Sequence, residues 1–193
     1  MSTLSIATIN NLSNNIIQGD VFRDVSYCYI DKEDDDTVEL VEFVFPMAIV
    51  VSQACDVNAM SEMLSKSSGK ATKFMPSVLM CPIYGKEEAK STKHLEQAFT
   101  KLQLSKEGNE QLFNSKEYSI AENDWHYRYH ALKVIIDSDI VLENALIDFK
   151  HYFTVPASYL FNSRENRLFT LGSLFAEQIT LKFSTYLSRV AIP

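Results

Sequence analysis

Two short stretches of the chain carry residue types that could do chemistry. The first is Ser52-Gln53-Ala54-Cys55-Asp56. It follows an apolar run, residues 47–51, whose β-branched content suits a buried strand. The turn therefore emerges at a strand end, where rigid backbone can hold reactive side chains. Cys55 could act as a nucleophile or ligand, and Asp56 as a base or ligand. A nucleophilic cysteine needs a histidine or a helix N-terminus beside it to lower its pKa. A structural role is the leading reading for the same residues. In it Cys55 is a small buried residue, Ser52 and Gln53 satisfy strand-end backbone groups, and Asp56 or Asn58 caps a short helix over residues 59–65.

The second stretch is His126-Tyr127-Arg128-Tyr129-His130. On a strand, His126, Arg128 and His130 would share one face and the two tyrosines the other. Such a face could hold a phosphate, or a metal together with a carboxylate, and His151 on a partner strand could join it. Its plainer reading is an exposed polar face with the tyrosines packed inward. Nothing in the spacing brings Cys55 to a histidine. No catalytic residue is assigned, and the expectation is no metal and no cofactor.

The elements that must position these residues are mostly strands. Residues 21–30 alternate, with Val25, Tyr27 and Tyr29 on one face and Ser26 and Cys28 on the other. Residues 31–36 hold five acids around one lysine, a solvated hairpin loop. Residues 38–45 read as the returning strand, which Pro46 breaks or places at an edge. Residues 77–81 form another apolar strand. Residues 125–136 and 146–155 alternate again and pair as antiparallel strands. Residues 86–124 change character: Leu95, Ala98, Phe99 and Leu102 lie on one helical face, so the segment reads as a helical insertion. Leu171, Phe175, Ile179, Phe183 and Leu187 repeat every four residues, which predicts an amphipathic helix over 168–189. Residues 1–15, polar and rich in Asn and Ser, read as a flexible arm.

The bulk properties bound the function. A chain of 193 residues, 46% hydrophobic and 22% charged, can build the core of one domain. Its net charge of −7 argues against broad binding to RNA or DNA, which needs lysine and arginine to displace counterions. The three cysteines are odd in number and show no close pair, so buried free thiols are expected rather than disulfides or structural zinc. No basic-then-apolar leader opens the chain, and no apolar run reaches the ~18 residues of a membrane span. The expected compartment is the cytoplasm, with no membrane partner.

Three landmarks recur in order: Gly19-Asp20-Val21-Phe22, then Phe45-Pro46-Met47-Ala48-Ile49-Val50-Val51-Ser52, then Val78-Leu79-Met80-Cys81-Pro82-Ile83. On these the chain resembles the MazF/PemK toxin family across residues 16–85. That family has a Gly-Asp opening, an Arg-Pro before an apolar strand ending in Ser, and a third strand ending in Pro-Leu/Ile-Thr-Ser. The resemblance implies an SH3-like β-barrel, in a family that cleaves single-stranded RNA. Here Phe45 stands where the family has its catalytic arginine, and Tyr84 where it has threonine. Attack by a 2′-hydroxyl needs a base and a cation near the phosphate, and Phe45 supplies no cation. The resemblance thus implies the barrel without the ribonuclease. Val50-Val51-Ser52-Gln53-Ala54-Cys55-Asp56 and the tail Arg189-Val190-Ala191-Ile192-Pro193 are also similar to a group of uncharacterised bacterial proteins. These share a VxSQxCD strand end and an RVGLP-like C-terminus.

The expected fold is mainly β with α. A single domain of an SH3-like MazF/PemK-type β-barrel is formed by residues 16–85 and 125–158, with the helical insertion and the C-terminal helix added. The expected function is a non-catalytic binding or regulatory module of a bacterial or phage system, of the toxin–antitoxin or phage-defence kind, with a protein partner. The alternatives are an endoribonuclease or other nucleic-acid-processing enzyme of MazF/PemK type, and a thiol-dependent hydrolase using Cys55.

Overall fold

Alternating apolar residues become eight strands in the computed structural model, which describes residues 6–9, 14–34, 37–66, 70–91, 119–121, 123–136 and 139–189. The strands are β1 (Ile6–Ile9), β2 (Asp20–Asp34), β3 (Thr37–Val50), β4 (Ser77–Tyr84), β5 (Tyr129–Ile136), β6 (Asp139–Asp148), β7 (Phe153–Pro156) and β8 (Arg167–Leu171). The helices are α1 (Ala54–Lys66), α2 (Lys86–Ser91), α3 (Ala157–Asn162) and α4 (Ser173–Leu187). The strand order is β3-β2-β8-β1-β5-β6-β4-β7, and β3 also pairs with β4. Every pairing is antiparallel except β1 with β5. The fold is therefore mainly β with helices, as the alternation predicts. No helix is long and apolar enough to cross a membrane.

Both faces of the sheet are covered, and the period of two along each strand sorts residues between them. Val21, Ile49, Cys81, Ile83, Val134 and Ile147 join Ile179 and Phe183 of α4 in one core. Their neighbours Phe22, Ala48, Val50 and Met80 join Val57 and Met60 of α1 and Leu160 of α3 in another.

β2 and β3 form a long hairpin, paired from Val21–Ile49 to Asp34–Thr37. β8 pairs with β2 only at Asp20, Val21 and Phe22, and β4 with β3 only at Ala48, Ile49 and Val50. The rest of the hairpin is an arm with no other strand paired to its edges among the described residues, although Phe153 of β7 packs against its Tyr27 and Phe45 rings. One face of the arm carries an aromatic ladder. Tyr29 stacks on Phe43 at 5.9 Å, and Phe45 stacks on Phe153 at 4.4 Å. The other face exposes Ile30 and Leu40, which are cross-strand partners, with Leu40 66% exposed.

Of the two expectations for Pro46, a break does not occur; the residue lies where β3 has only β2 paired with it. It lies within β3, between the Arg23–Met47 and Val25–Phe45 pairs. The residue opposite, Asp24, takes φ 50, in the left-handed region that aspartate tolerates better than most residues.

The Gly19-Asp20 landmark proves to be a junction. Gly19 has φ 87, and a Cβ there would lie 2.8 Å from the Ala176 Cβ of α4. Its N–H donates to Val50 O and its carbonyl accepts from Leu171 N, each at 3.0 Å. Asp20 is fully buried and accepts hydrogen bonds from Arg167 Nη1 at 2.9 Å, Ile17 N at 2.9 Å and the Thr170 hydroxyl. The pair ties β2 and β8 together and lets α4 approach closely.

Several boundaries differ from the sequence reading. Ile6–Ile9, within the expected arm, is a strand between β5 and β8, because three of its four residues are β-branched. Leu171 closes β8 instead of opening the helix, since Gly172 stands at the helix N-cap. Ile179 and Phe183 are buried as expected and Phe175 is half-buried, but Leu187 is exposed at the last turn. Helix α1 begins five residues earlier than expected. Of the expected insertion, α2 is a short helix, and the helix expected over residues 93–104 lies outside the described residues.

Candidate functional site

The polar cluster with the most connections forms where three strands end. β6 finishes at Asp148, whose carboxylate accepts from Lys150 N at 2.9 Å and so caps the 3-10 turn Phe149–His151. That turn carries His151 back toward Tyr84, the last residue of β4. From the other side, Phe149 N donates to Arg128 O at 3.0 Å and fixes the residues leading into β5. Arg128 then grips Asp148 with both prongs, Nε to Oδ1 at 2.7 Å and Nη2 to Oδ2 at 2.6 Å.

His151 completes the cluster. Its Nδ1 lies 3.0 Å from Asp148 Oδ2 and 3.4 Å from the Tyr84 hydroxyl, while its Nε2 lies 3.3 Å from Arg128 Nη2. One tautomer satisfies these contacts: hydrogen on Nδ1 donating to Asp148, and Nε2 accepting from Arg128. Burial would raise the Asp148 carboxyl, but the hydrogen bonds from His151 and Arg128, with the Arg128 charge, outweigh it and hold the group well below the usual carboxylate range. Burial, with the Asp148 charge beside it, pushes the Tyr84 phenol well above its ordinary value, so it stays a donor. The cluster thus combines an ionised buried carboxylate, a fixed guanidinium, an oriented imidazole and a protonated phenol. The imidazole Nε2 faces Arg128, a poor arrangement for taking a proton from a substrate.

The expected shared face of His126, Arg128 and His130 does not form, because β5 begins only at Tyr129. His126 turns back, accepting from Arg128 N at 3.1 Å through Nδ1 and stacking on Tyr127 at 4.7 Å. His130 is buried on its own, with Nδ1 3.0 Å from Asp124 Oδ1. Asp124 also accepts from the Lys182 ammonium of α4, and its carbonyl oxygen takes the same ammonium at 3.1 Å. Burial works to raise the Asp124 carboxyl, and His130 and Lys182 together overcome it and lower it. His151 does join Arg128, as the sequence suggested, but from a turn rather than from a strand.

The Ser52–Asp56 stretch lies elsewhere. Ser52 Oγ accepts from Leu79 N at 2.7 Å, and the Gln53 carbonyl accepts from Asp56 N and Val57 N at 3.1 Å. Because α1 starts at Ala54, Cys55 and Asp56 sit on its first turn, both exposed, with Cys55 Sγ 3.6 Å from Asp56 Oδ1. The anchoring point Leu79 and the His151 neighbour Tyr84 are five residues apart on β4, about 17 Å of strand. Cys55 and the histidines are therefore not brought together. Only Cys81 is buried, with Cys28 and Cys55 exposed, which corrects the expectation for those two thiols. Among the described residues no group of three or more His, Cys, Asp and Glu side chains is placed to hold a metal ion.

Comparison with protein-family models, curated proteins and solved structures finds no match. Site assignment therefore rests on geometry. Sequence reading missed Asp148 and Tyr84 as site members. Asp148 had a usable signal: an acid closing an apolar strand just before Lys150 and His151 fits a capping turn.

Proposed function

We propose that this chain is a non-catalytic binding or regulatory module of a bacterial or phage toxin–antitoxin or defence system, carried on an SH3-like barrel of MazF/PemK type. The β2–β3 arm is its binding element and a protein its partner. Support for the barrel comes from β4, which pairs with β6 as well as with β3. The observation that carries the binding role is the arm itself. Ile30, Val38, Leu40 and Val44 are large aliphatic side chains, all more than 40% exposed, on a hairpin that extends past its strand neighbours. Apolar groups gathered this way are commonly covered by a partner.

The test is Leu40→Asp and Ile30→Asp, made in the full chain and compared with the parent in its own host. A partner identified by cross-linking and reconstituted from pure components should bind each variant at least tenfold more weakly, with unchanged melting temperature. Unchanged partner affinity in both variants would overturn the reading. A second reading, a nucleic-acid-processing enzyme, is favoured by one observation: Tyr84, at the place of the family's threonine, lies beside His151 and Arg128. Metal-independent cleavage of single-stranded RNA by pure protein, lost in His151→Ala, would establish it.

A further inference from the structure

The two faces of the β2–β3 arm differ in what already covers them. Val25, Tyr27 and Tyr29 of β2 pair with Phe45, Phe43 and Val41 of β3. Val25 and Val41 are buried, and the rings of Tyr27 and Phe45 pack on Phe153 of β7. That face is therefore met by the protein's own side chains. The period of two sends Val38, Leu40, Glu42 and Val44 to the opposite face. Leu40, Glu42 and Val44 stand there across from Ile30, Cys28 and Ser26. Val38, Leu40, Glu42, Val44, Ile30 and Cys28 are all exposed. The outer face is thus an aliphatic row with one carboxylate, Glu42, between Leu40 and Val44.

Charge gives this face its character. Residues 24–45 hold eight acids and one lysine, out of 25 acids and 18 lysines and arginines in the chain. The remaining residues therefore carry 17 of each sign, and the whole net charge of −7 belongs to the hairpin. That sum holds whichever local pairs the individual acids make. A field of one sign over an apolar row selects the surface that can cover it. A second copy of the chain would bring its own −7 against the same face. A polynucleotide would be repelled in the same way.

We propose that the outer face of the arm docks a basic amphipathic surface of another protein, with lysine and arginine set among aliphatic side chains. This rests on the reading of the arm as the protein-binding element, and adds the chemistry of its partner. The aliphatic row supplies affinity through burial. The acidic hairpin draws the partner in and sets which surface fits, with a partner cation meeting Glu42.

The experiment uses Cys28 as a handle. In Cys55→Ser, with Cys81 buried, a photo-crosslinker on Cys28 reports what lies on this face in the native host. A second preparation carries the label on Val38→Cys in a chain with Cys28→Ser and Cys55→Ser. The captured protein is purified and titrated against the unlabelled full chain. Raising monovalent salt from about 50 to about 500 mM should weaken binding at least about tenfold. Glu42→Lys should weaken it by a similar factor at the lower salt, mainly through slower association, with unchanged melting temperature. A partner lost in Leu40→Asp but indifferent to both salt and Glu42→Lys overturns the basic surface while leaving the arm as the binding element. Capture of a second copy of this chain also overturns it. No capture from either label, or a partner indifferent to Leu40→Asp, overturns the arm reading and this inference with it.

Discussion

Replacing Asp148 with asparagine tests the central cluster most directly. The carboxylate is fully buried and holds Arg128 at 2.7 and 2.6 Å, with His151 at 3.0 Å. Removing one partner of a buried ion pair costs ~3–5 kcal/mol, because the other charge is left uncompensated. Arg128 keeps some access to water and the amide still accepts one hydrogen bond, so the lower end applies, ~3 kcal/mol. For a chain of this length each kcal/mol moves the melting temperature by about 2–4 °C, so the loss should be ~6–12 °C. The control is Arg128→Met with Asp148→Leu. It leaves no unpaired charge and should melt above Asp148→Asn, but below the parent, because Lys150 N and His151 lose their acceptor. The effect also has a pH signature. The folded Asp148 carboxyl lies below its ordinary value near 3.9, so folding favours the ionised form. Its stabilisation is complete above about pH 5 and is lost as pH falls through the unfolded value toward the lower folded one. The asparagine variant should therefore show a flatter acid limb in urea melts run from pH 7 downward. A variant that melts within about 1 °C of the parent and keeps the parental acid limb would refute this account of the cluster.

Gly19→Ala should lower stability by about 2–3 kcal/mol in urea unfolding, because φ 87 and the 2.8 Å approach to Ala176 both oppose a Cβ. Phe183→Ala should cost ~3–5 kcal/mol, with Leu181→Ala, on the exposed side of α4, within about 0.5 kcal/mol of the parent by the same assay. Ser52→Ala should cost ~1–2 kcal/mol in thermal melts, since Leu79 N loses its acceptor, whereas Cys55→Ser should leave the melt unchanged. A thiol reagent followed by mass spectrometry should label Cys28 and Cys55 in the native protein and reach Cys81 only on unfolding.

What could be read from the chain was what repeats locally. The period of two placed Val25, Tyr27 and Tyr29 on one face of β2, and the period near 3.6 found Ile179 and Phe183 on the buried side of α4. Boundaries failed where a single residue decides them. Gly172 ends β8 and starts α4, yet Leu171 continues the four-residue spacing and reads as helix. Pro46 reads as a break or an edge position, and only the extent of the β4 pairing, which starts at Ala48, decides between them. The strand Ile6–Ile9 was hidden because its partners, β5 and β8, lie more than a hundred residues away in the chain.

The candidate chemistry divides along the same line. Ser52 and Gln53 accept from backbone N–H groups of β4 and α1, which order along the chain suggested, whereas Asp56 lies inside the first turn of α1 instead of capping it and Cys55 is exposed instead of buried. Arg128, Tyr84 and the turn that holds both Asp148 and His151 come from three separate places and meet only after folding. The spacing in His126-Tyr127-Arg128-Tyr129-His130 could not reveal that cluster, because the alternation it suggests requires a strand and β5 starts too late to supply one. The turn after β6 decides the outcome. Asp148 caps it, the cap directs His151 toward Tyr84, and the same carboxylate turns Arg128 inward. One acid therefore sets both the local turn and the orientation of the guanidinium. That coupling distinguishes Asp148 from the equally buried Asp20. The side-chain partners of Asp20, Arg167 and Thr170, belong to a single strand, and all its hydrogen bonds close a junction between elements. Asp20 holds a strand junction together, whereas Asp148 shapes a turn and through it brings Arg128, His151 and Tyr84 into one cluster.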